Sequence, residues 1–255
     1  FSQIRRHSPF RREGPLRERM GNMQNPRKVA VIGCGFVGAS IAFSLMQKGL
    51  FSELVLIDSN KAKAHGEAMD LSHGLPYAAS MDIYAGSYDD IADCALIIIT
   101  AGANQKPGET RLNLIGKNVG ILRAILPQIT SRGFEGILLI VSNPVDVLTY
   151  AAQRISGYPV HRVIGSGTVL DTARLKYLLS RHLDVDSRSV HAVVIGEHGD
   201  SEFVPWSQAM LATKSVMDIC EQSNGKFCLE EMQKLSVEVR DAAQKIIEAH
   251  QKEEE

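Results

Sequence analysis

The chain has 255 residues, 44% of them hydrophobic, enough to bury a core in one large domain or two modest ones. Its formal net charge of −1 creates no field that would draw it to nucleic acid or to an anionic membrane. Its longest apolar runs, Ala95 to Thr100 and Gly136 to Val141, are far too short to span a bilayer.

In chain order, residues 1–26 come first. They carry Arg5, Arg6, Arg11, Arg12, Arg17 and Arg19 against only Glu13 and Glu18, with no apolar periodicity. This stretch is expected to be a disordered or artefactual extension outside the fold. Lys28 to Ile32 then reads as a short strand that runs directly into Gly33-Cys34-Gly35-Phe36-Val37-Gly38. A helix is expected over Ala39 to Gln47 and a second strand over Glu53 to Ile57, ending at Asp58. A GxGxxG alone is weak, but one lying between a strand and a helix, with an acidic residue about 20 positions later, is the signature of a dinucleotide-binding fold. Gly33 would permit the tight turn, Gly35 would let backbone approach a pyrophosphate, and Gly38 would let helix and strand pack closely. The helix N-terminus would face the phosphates. Asp58 would accept hydrogen bonds from the ribose hydroxyls and repel a 2′-phosphate, favouring NAD over NADP. The plainer alternative is a glycine turn followed by a surface aspartate.

Further along, Ala62 to Leu71 and Asn118 to Ser131 read as helices, and Met81 to Tyr84 as a short strand. Cys94 to Thr100 and Gly136 to Val141 read as central parallel strands buried on both faces. The alternation predicts a doubly wound parallel sheet, whose ligands bind beyond the carboxyl ends of the strands. Two segments follow such strand ends. Ala101 to Arg111 has the composition of a mobile lid ending in a cation; Ser142-Asn143-Pro144-Val145-Asp146 is the other. Arg111 could equally be a solvated charge opening the next helix. A helix from Val169 to about His182 places Asp171 and Arg174 on one face. They read either as a surface ion pair or as a carboxylate for His198 and a guanidinium for a substrate carboxylate.

Val190 to Ile195 reads as a strand feeding the turn Gly196-Glu197-His198-Gly199-Asp200-Ser201-Glu202. A histidine at such a strand end can exchange a proton near neutral pH, although alone it reads more readily as a satisfied turn residue. Cys220 to Phe227 reads as an irregular surface loop. Leu229 to His250 reads as an amphipathic helix, with Met232, Leu235, Val239, Ala242, Ala243, Ile246 and Ile247 on one face. Cys34, Cys94, Cys220 and Cys228 show neither a CxxC pair nor metal-ligand spacing; they read as reduced thiols of a cytosolic protein, and no metal is expected.

Five of these motifs, in this order, make the chain resemble the lactate/malate dehydrogenase family, in particular its bacterial L-lactate dehydrogenases, from about Arg27 to about His250. They are Ile32 to Gly38, Gly102 to Arg111, Ser142 to Asp146, Gly165 to Thr168 with Leu170 to Arg174, and Ile195 to Asp200. The resemblance implies an α/β fold: a Rossmann doubly wound parallel sheet over 27–166, then an incomplete α+β substrate domain over 167–255. It makes His198 the general acid/base, Asp171 its partner, Arg174 the carboxylate clamp and Arg111 the lid residue that polarises the ketone. Asn143 would bond near the substrate oxygen and the nicotinamide. At the position of Gln105, malate dehydrogenases of this family carry an arginine; a neutral Gln therefore favours pyruvate/L-lactate, with malate as the alternative. The implied NAD contacts are Gly33, Gly35, Phe36, Val37, Gly38, Asp58, Thr100, Ala101, Gly102, Asn118, Val141 and Asn143. Lys176 and His191 match positions that bind the activator fructose 1,6-bisphosphate, although many activated members have arginine in place of Lys176. A cytoplasmic homotetramer is implied. Family members continue past the amphipathic helix with a segment that closes one wall of the substrate pocket. A C-terminally truncated second domain is therefore expected, with exposed apolar surface, self-association and weak activity, and an inactive NAD-binding fragment is the competing reading.

Overall fold

The structure, a computed structural model, describes residues 25–103, 111–223 and 227–251. Six strands build the main sheet: β1 (Asn25–Ile32), β2 (Glu53–Ile57), β3 (Asp82–Ala85), β4 (Cys94–Ile99), β5 (Ile137–Ile140) and β6 (Val163–Gly165). Their order is β3-β2-β1-β4-β5-β6 and the sheet is parallel, the doubly wound arrangement expected from the alternating pattern. Helices α1 (Phe36–Lys48), α2 (Lys61–Gly74), α3 (Arg111–Thr130) and α4 (Val145–Ser156) connect the strands. The described chain divides into two compact units. One comprises the residues up to Ala101 with Arg123–Leu138, the other Gly102–Leu122 with Leu139 onward.

In the first unit, Val29, Ala30, Val31, Leu54, Val55, Ile97 and Ile99 are wholly buried, because a parallel strand covered on both faces has no solvent side. The N-terminal ends of the strands carry a polar lock. Lys28, 2% exposed, pairs with Glu53 at 3.0 Å and Asp93 at 2.9 Å, and the Tyr84 hydroxyl donates to Glu53 at 2.7 Å. Burial works against the Lys28 ammonium, but its bonds to Asp93 and Glu53 outweigh burial and hold its pKa above the usual lysine range. β1 begins three residues earlier than the sequence suggested. The Asn25 N–H donates to the Asp93 carbonyl at 2.7 Å, so Asn25 and Pro26 belong to the fold and not to the extension. Residues 1–24 lie outside the described residues.

The second unit adds α5 (Val169–Leu183), β7 (Val190–His191), β8 (Met210–Leu211), β9 (Lys214–Ser215), α6 (Val216–Gln222) and α7 (Leu229–Gln251). Its three short strands form an antiparallel sheet, and Leu175, Leu179, Val190, Ala192, Val194, Phe227, Met232, Leu235 and Val239 share one core. Three expectations change here. The strand over Val190 to Ile195 is interrupted after His191. The backbone of Val194 bonds to the hydroxyls of Thr168, the N-cap of α5, and Thr172 in place of a neighbouring strand, and pairing resumes only at Ile195, which bridges to Phe203. The surface loop over Cys220 to Phe227 is partly structured: Cys220 to Gln222 end α6, Phe227 is 2% exposed, and the Ser223 hydroxyl accepts the Phe227 N–H and shares its one hydrogen between the carbonyls of Cys220 and Phe227. α7 buries Met232, Leu235 and Val239 as its periodicity predicts, whereas Ile246 and Ile247 are each 51% exposed.

Candidate active site

The glycine loop follows β1 in the first unit. Gly33 has φ +103°, and a Cβ there would stand 2.6 Å from the Ala101 nitrogen; at Gly38 it would meet the Gly33 carbonyl oxygen at 1.9 Å. Both positions therefore exclude a side chain for reasons internal to the protein. Gly35 differs, because a Cβ there would meet nothing within 4 Å. That open space lies at the N-cap of α1, whose first turn has neither a side-chain cap nor an acidic residue, so the positive end of the helix is available to an anion. Phe36 and Val37 open the helix with exposed side chains. Asp58 accepts the Cys34 N–H at 2.7 Å and the Asn60 N–H at 2.8 Å. Burial pushes its carboxyl up, but those two donors outweigh burial and keep its pKa below the usual aspartate value, so it remains a charged acceptor beside the loop. The Thr100 hydroxyl bonds the Gly33 carbonyl at 2.6 Å and so fixes the loop from β4. These features fit a dinucleotide pyrophosphate and ribose.

In the second unit, Asp171 stands in the first turn of α5, where the helix dipole favours a carboxylate, and is 1% exposed. One of its oxygens lies 2.5 Å from His198 Nδ1, and the other accepts from Arg174 at 3.0 Å. An ionised carboxylate can only accept, so Nδ1 carries a hydrogen and the free Nε2 is the atom able to exchange a proton. Burial separates this Asp171–Arg174 contact from an ordinary exposed ion pair. Three bonds hold the histidine in place. The Thr168 hydroxyl donates to the Val194 carbonyl at 2.6 Å, and the Val194 N–H donates to Thr172 Oγ1 at 2.9 Å. The His198 N–H donates to an Asp146 carboxylate oxygen, also at 2.9 Å. Sequence reasoning had assigned no role to Thr168, Thr172 or Asp146, although all three lie inside the motifs that pointed to the site.

Glu202 is a further residue that sequence reasoning passed over. One donor atom each of Asp171, His198 and Glu202 lie within 4.8 Å of one another. Glu202 Oε1 is buried, and among the described residues it has no hydrogen-bond partner. Burial, and then the charge of Asp171, push its carboxyl up to about 7.

The other predicted residues divide. Asn118 is 1% exposed and committed within the protein: its amide oxygen accepts the Ala103 N–H and its amide nitrogen donates to the Asn143 carbonyl, both at 2.7 Å. It thus ties together the segments that follow β4 and β5. Asn143 and Gly102 are exposed, while Ala101 and Val141 are half-buried. Lys176 is half-buried on α5 and His191 is exposed on β7, and no hydrogen bond or ion pair joins them. Arg111 opens α3, seven residues ahead of the predicted start of that helix at Asn118. Its side chain, Gln105 and the rest of the lid over residues 104–110 lie outside the described residues.

Comparison with known proteins matches the chain from residue 27 to residue 253. Residues 27–165 match the family described as lactate/malate dehydrogenase, NAD binding domain, and residues 168–253 match the lactate/malate dehydrogenase, alpha/beta C-terminal domain. An L-lactate dehydrogenase of Priestia megaterium is 54% identical over 224 residues, 87% of this chain and 69% of that protein. One from Geobacillus thermodenitrificans is 51% identical over 222 residues, 87% of this chain and 70% of its own length. Among solved structures, a lactate dehydrogenase from a Medee basin deep-sea metagenome library superposes with a TM-score of 0.84 at 50% identity, covering 88% of this chain and 71% of that one. The minor L-lactate dehydrogenase of Enterococcus mundtii, in its ligand-bound form, gives 0.86 at 43% identity, covering 89% and 72%. The chain thus spans about seven-tenths of the length of these relatives.

Proposed function

The chain belongs to the lactate/malate dehydrogenase family, and we propose that it interconverts L-lactate and pyruvate reversibly with NAD. The observation that carries this reading is the buried carboxylate of Asp171 at 2.5 Å from His198 Nδ1. It holds the imidazole with Nε2 free and stabilises the positive charge that appears when Nε2 takes the proton of the lactate hydroxyl. NAD, when bound, supplies the hydride acceptor. Gly33, Gly35, Phe36, Val37, Gly38 and Asp58 hold its phosphates and ribose, and Thr100, Ala101, Gly102, Val141 and Asn143 complete its contacts, with Asn118 positioning Asn143 through the backbone. Arg174 fixes the substrate carboxylate while keeping its bond to Asp171, since a guanidinium has donors for both. Arg111 polarises the keto oxygen, and a neutral Gln105 leaves a second carboxylate without a partner, which selects lactate over malate.

The same reading assigns nucleotide binding to residues 27–166 and substrate handling to 167–255. It makes the protein a cytoplasmic homotetramer of pyruvate fermentation, with Lys176 and His191 contributing to a fructose 1,6-bisphosphate site. Following NADH absorbance with pyruvate and with oxaloacetate tests the assignment. Faster turnover of pyruvate is expected. Faster turnover of oxaloacetate would replace lactate by malate, and silence with both substrates despite NADH binding would leave a nucleotide-binding protein without catalysis.

A further inference from the structure

The mechanism above uses Asp171, Arg174 and His198 and leaves one carboxyl in the cluster without a task. Glu202 lies on the same loop as His198, four residues on, and its carboxyl comes within 4.8 Å of both the Asp171 oxygen and the imidazole. Asp171 has two donors, His198 and Arg174, and is accordingly the ionised member of the carboxyl pair. Glu202 Oε1 has none and is buried. An acceptor oxygen without a donor, beside another carboxylate, is costly if charged, but is satisfied if the group is an acid whose O–H is given to the neighbour. The titratable groups that bear on Glu202 are Asp171 on α5 and His198 on its own loop, and the Gly199 backbone bonds to its carboxyl. Of the remaining acids nearby, Asp146 accepts the His198 backbone N–H and Glu197 accepts the Ser201 hydroxyl.

We propose that Glu202 is a positioning residue for the proton transfer: as a neutral acid it donates to Asp171, and as an anion it supplies the charge against which His198 keeps its own proton. This rests on the reading of His198 as the general acid/base. The acid adds a third hydrogen bond to Asp171, beside those from His198 and Arg174, and weakens its hold on the imidazolium. Losing that proton releases Asp171 and adds a negative charge within 4.8 Å of the ring. As pH rises, the ionisation of Glu202 therefore delays the loss of the proton from His198, so that the protonated form needed to reduce pyruvate persists to higher pH. Such a pair titrates in two linked steps rather than one.

Glu202→Gln keeps a neutral donor for Asp171 and abolishes the anion. The alkaline limb of kcat/KM for pyruvate reduction is expected to move to lower pH by roughly half a unit or more. A merely structural role would change the height of the profile and leave the limb in place, and coincident limbs would overturn the proposal. A second measurement needs neither turnover nor the variant. In the unaltered protein the Cε1–H resonance of His198, assigned by its absence in His198→Gln, should titrate in two steps. A single-step titration would overturn the proposal even if the variant failed to fold. Failure to turn over pyruvate with a two-step titration would reject the lactate assignment and leave standing only the coupling of Glu202 to His198.

Discussion

At the residue scale, the chemistry depends on where single charges are buried. His198→Ala should lower turnover by about 10²- to 10⁴-fold, the usual contribution of a positioned acid/base. It should leave NADH affinity unchanged, because the glycine loop and Asp58 owe nothing to that side chain. Steady-state rates and NADH fluorescence titration would check both, and lost NADH binding would mean that the histidine has been misread. Glu202 also makes stability depend on pH. Its carboxyl is raised from the ordinary 4.5 to about 7, so an unfolded chain releases this proton before the folded one does. Stability falls as pH rises across that window and levels off above it. Glu202→Gln lacks the loss. The gap in Tm between variant and parent should grow from near zero at the acid end to a plateau above neutrality, and a constant gap would contradict the assignment.

At the scale of elements, α5 is the organising piece of the second unit. Its first two turns contribute Asp171 and Arg174 to the chemistry, and its N-cap Thr168 together with Thr172 holds the segment that delivers His198. Ala192 and Val194 point into the core with the alternation of a strand, which is why the apolar run suggested one as far as Ile195. Periodicity reports which side chains are buried; it does not report what satisfies the backbone, and here two hydroxyls do so in place of a strand. Thr172→Val removes the acceptor of the Val194 N–H. It should cost about 1–3 kcal/mol of stability, the usual penalty for a buried donor left unpaired, and lower kcat more than it raises KM. Urea denaturation with steady-state kinetics would check this, and unchanged kcat would mean that the clamp does not position His198.

At the scale of the whole molecule, NAD binding couples to folding. NADH at about 100 times its Kd should add about 2.7 kcal/mol, or roughly 5–10 °C in Tm for a chain of this size. NADPH should give a smaller shift, because Asp58 remains ionised beside the loop; equal shifts in a thermal melt would refute that selectivity. The amino-acid sequence alone was sufficient for the nucleotide loop, the doubly wound sheet and the family, because these rest on local patterns: glycines where a Cβ would collide, apolar runs between turns, and motifs in a fixed order. It could name Asp171 and His198 as partners only through resemblance, since 27 residues separate them. Tertiary structure decided that Asp171 is buried and serves both His198 and Arg174, that threonine hydroxyls replace a strand, that Asn118 binds two loop segments together, and that Glu202 faces Asp171. The physical reason is common to all four. Protonation state and hydrogen-bond partnership depend on which groups share a volume emptied of water, and that is settled only when distant segments pack together.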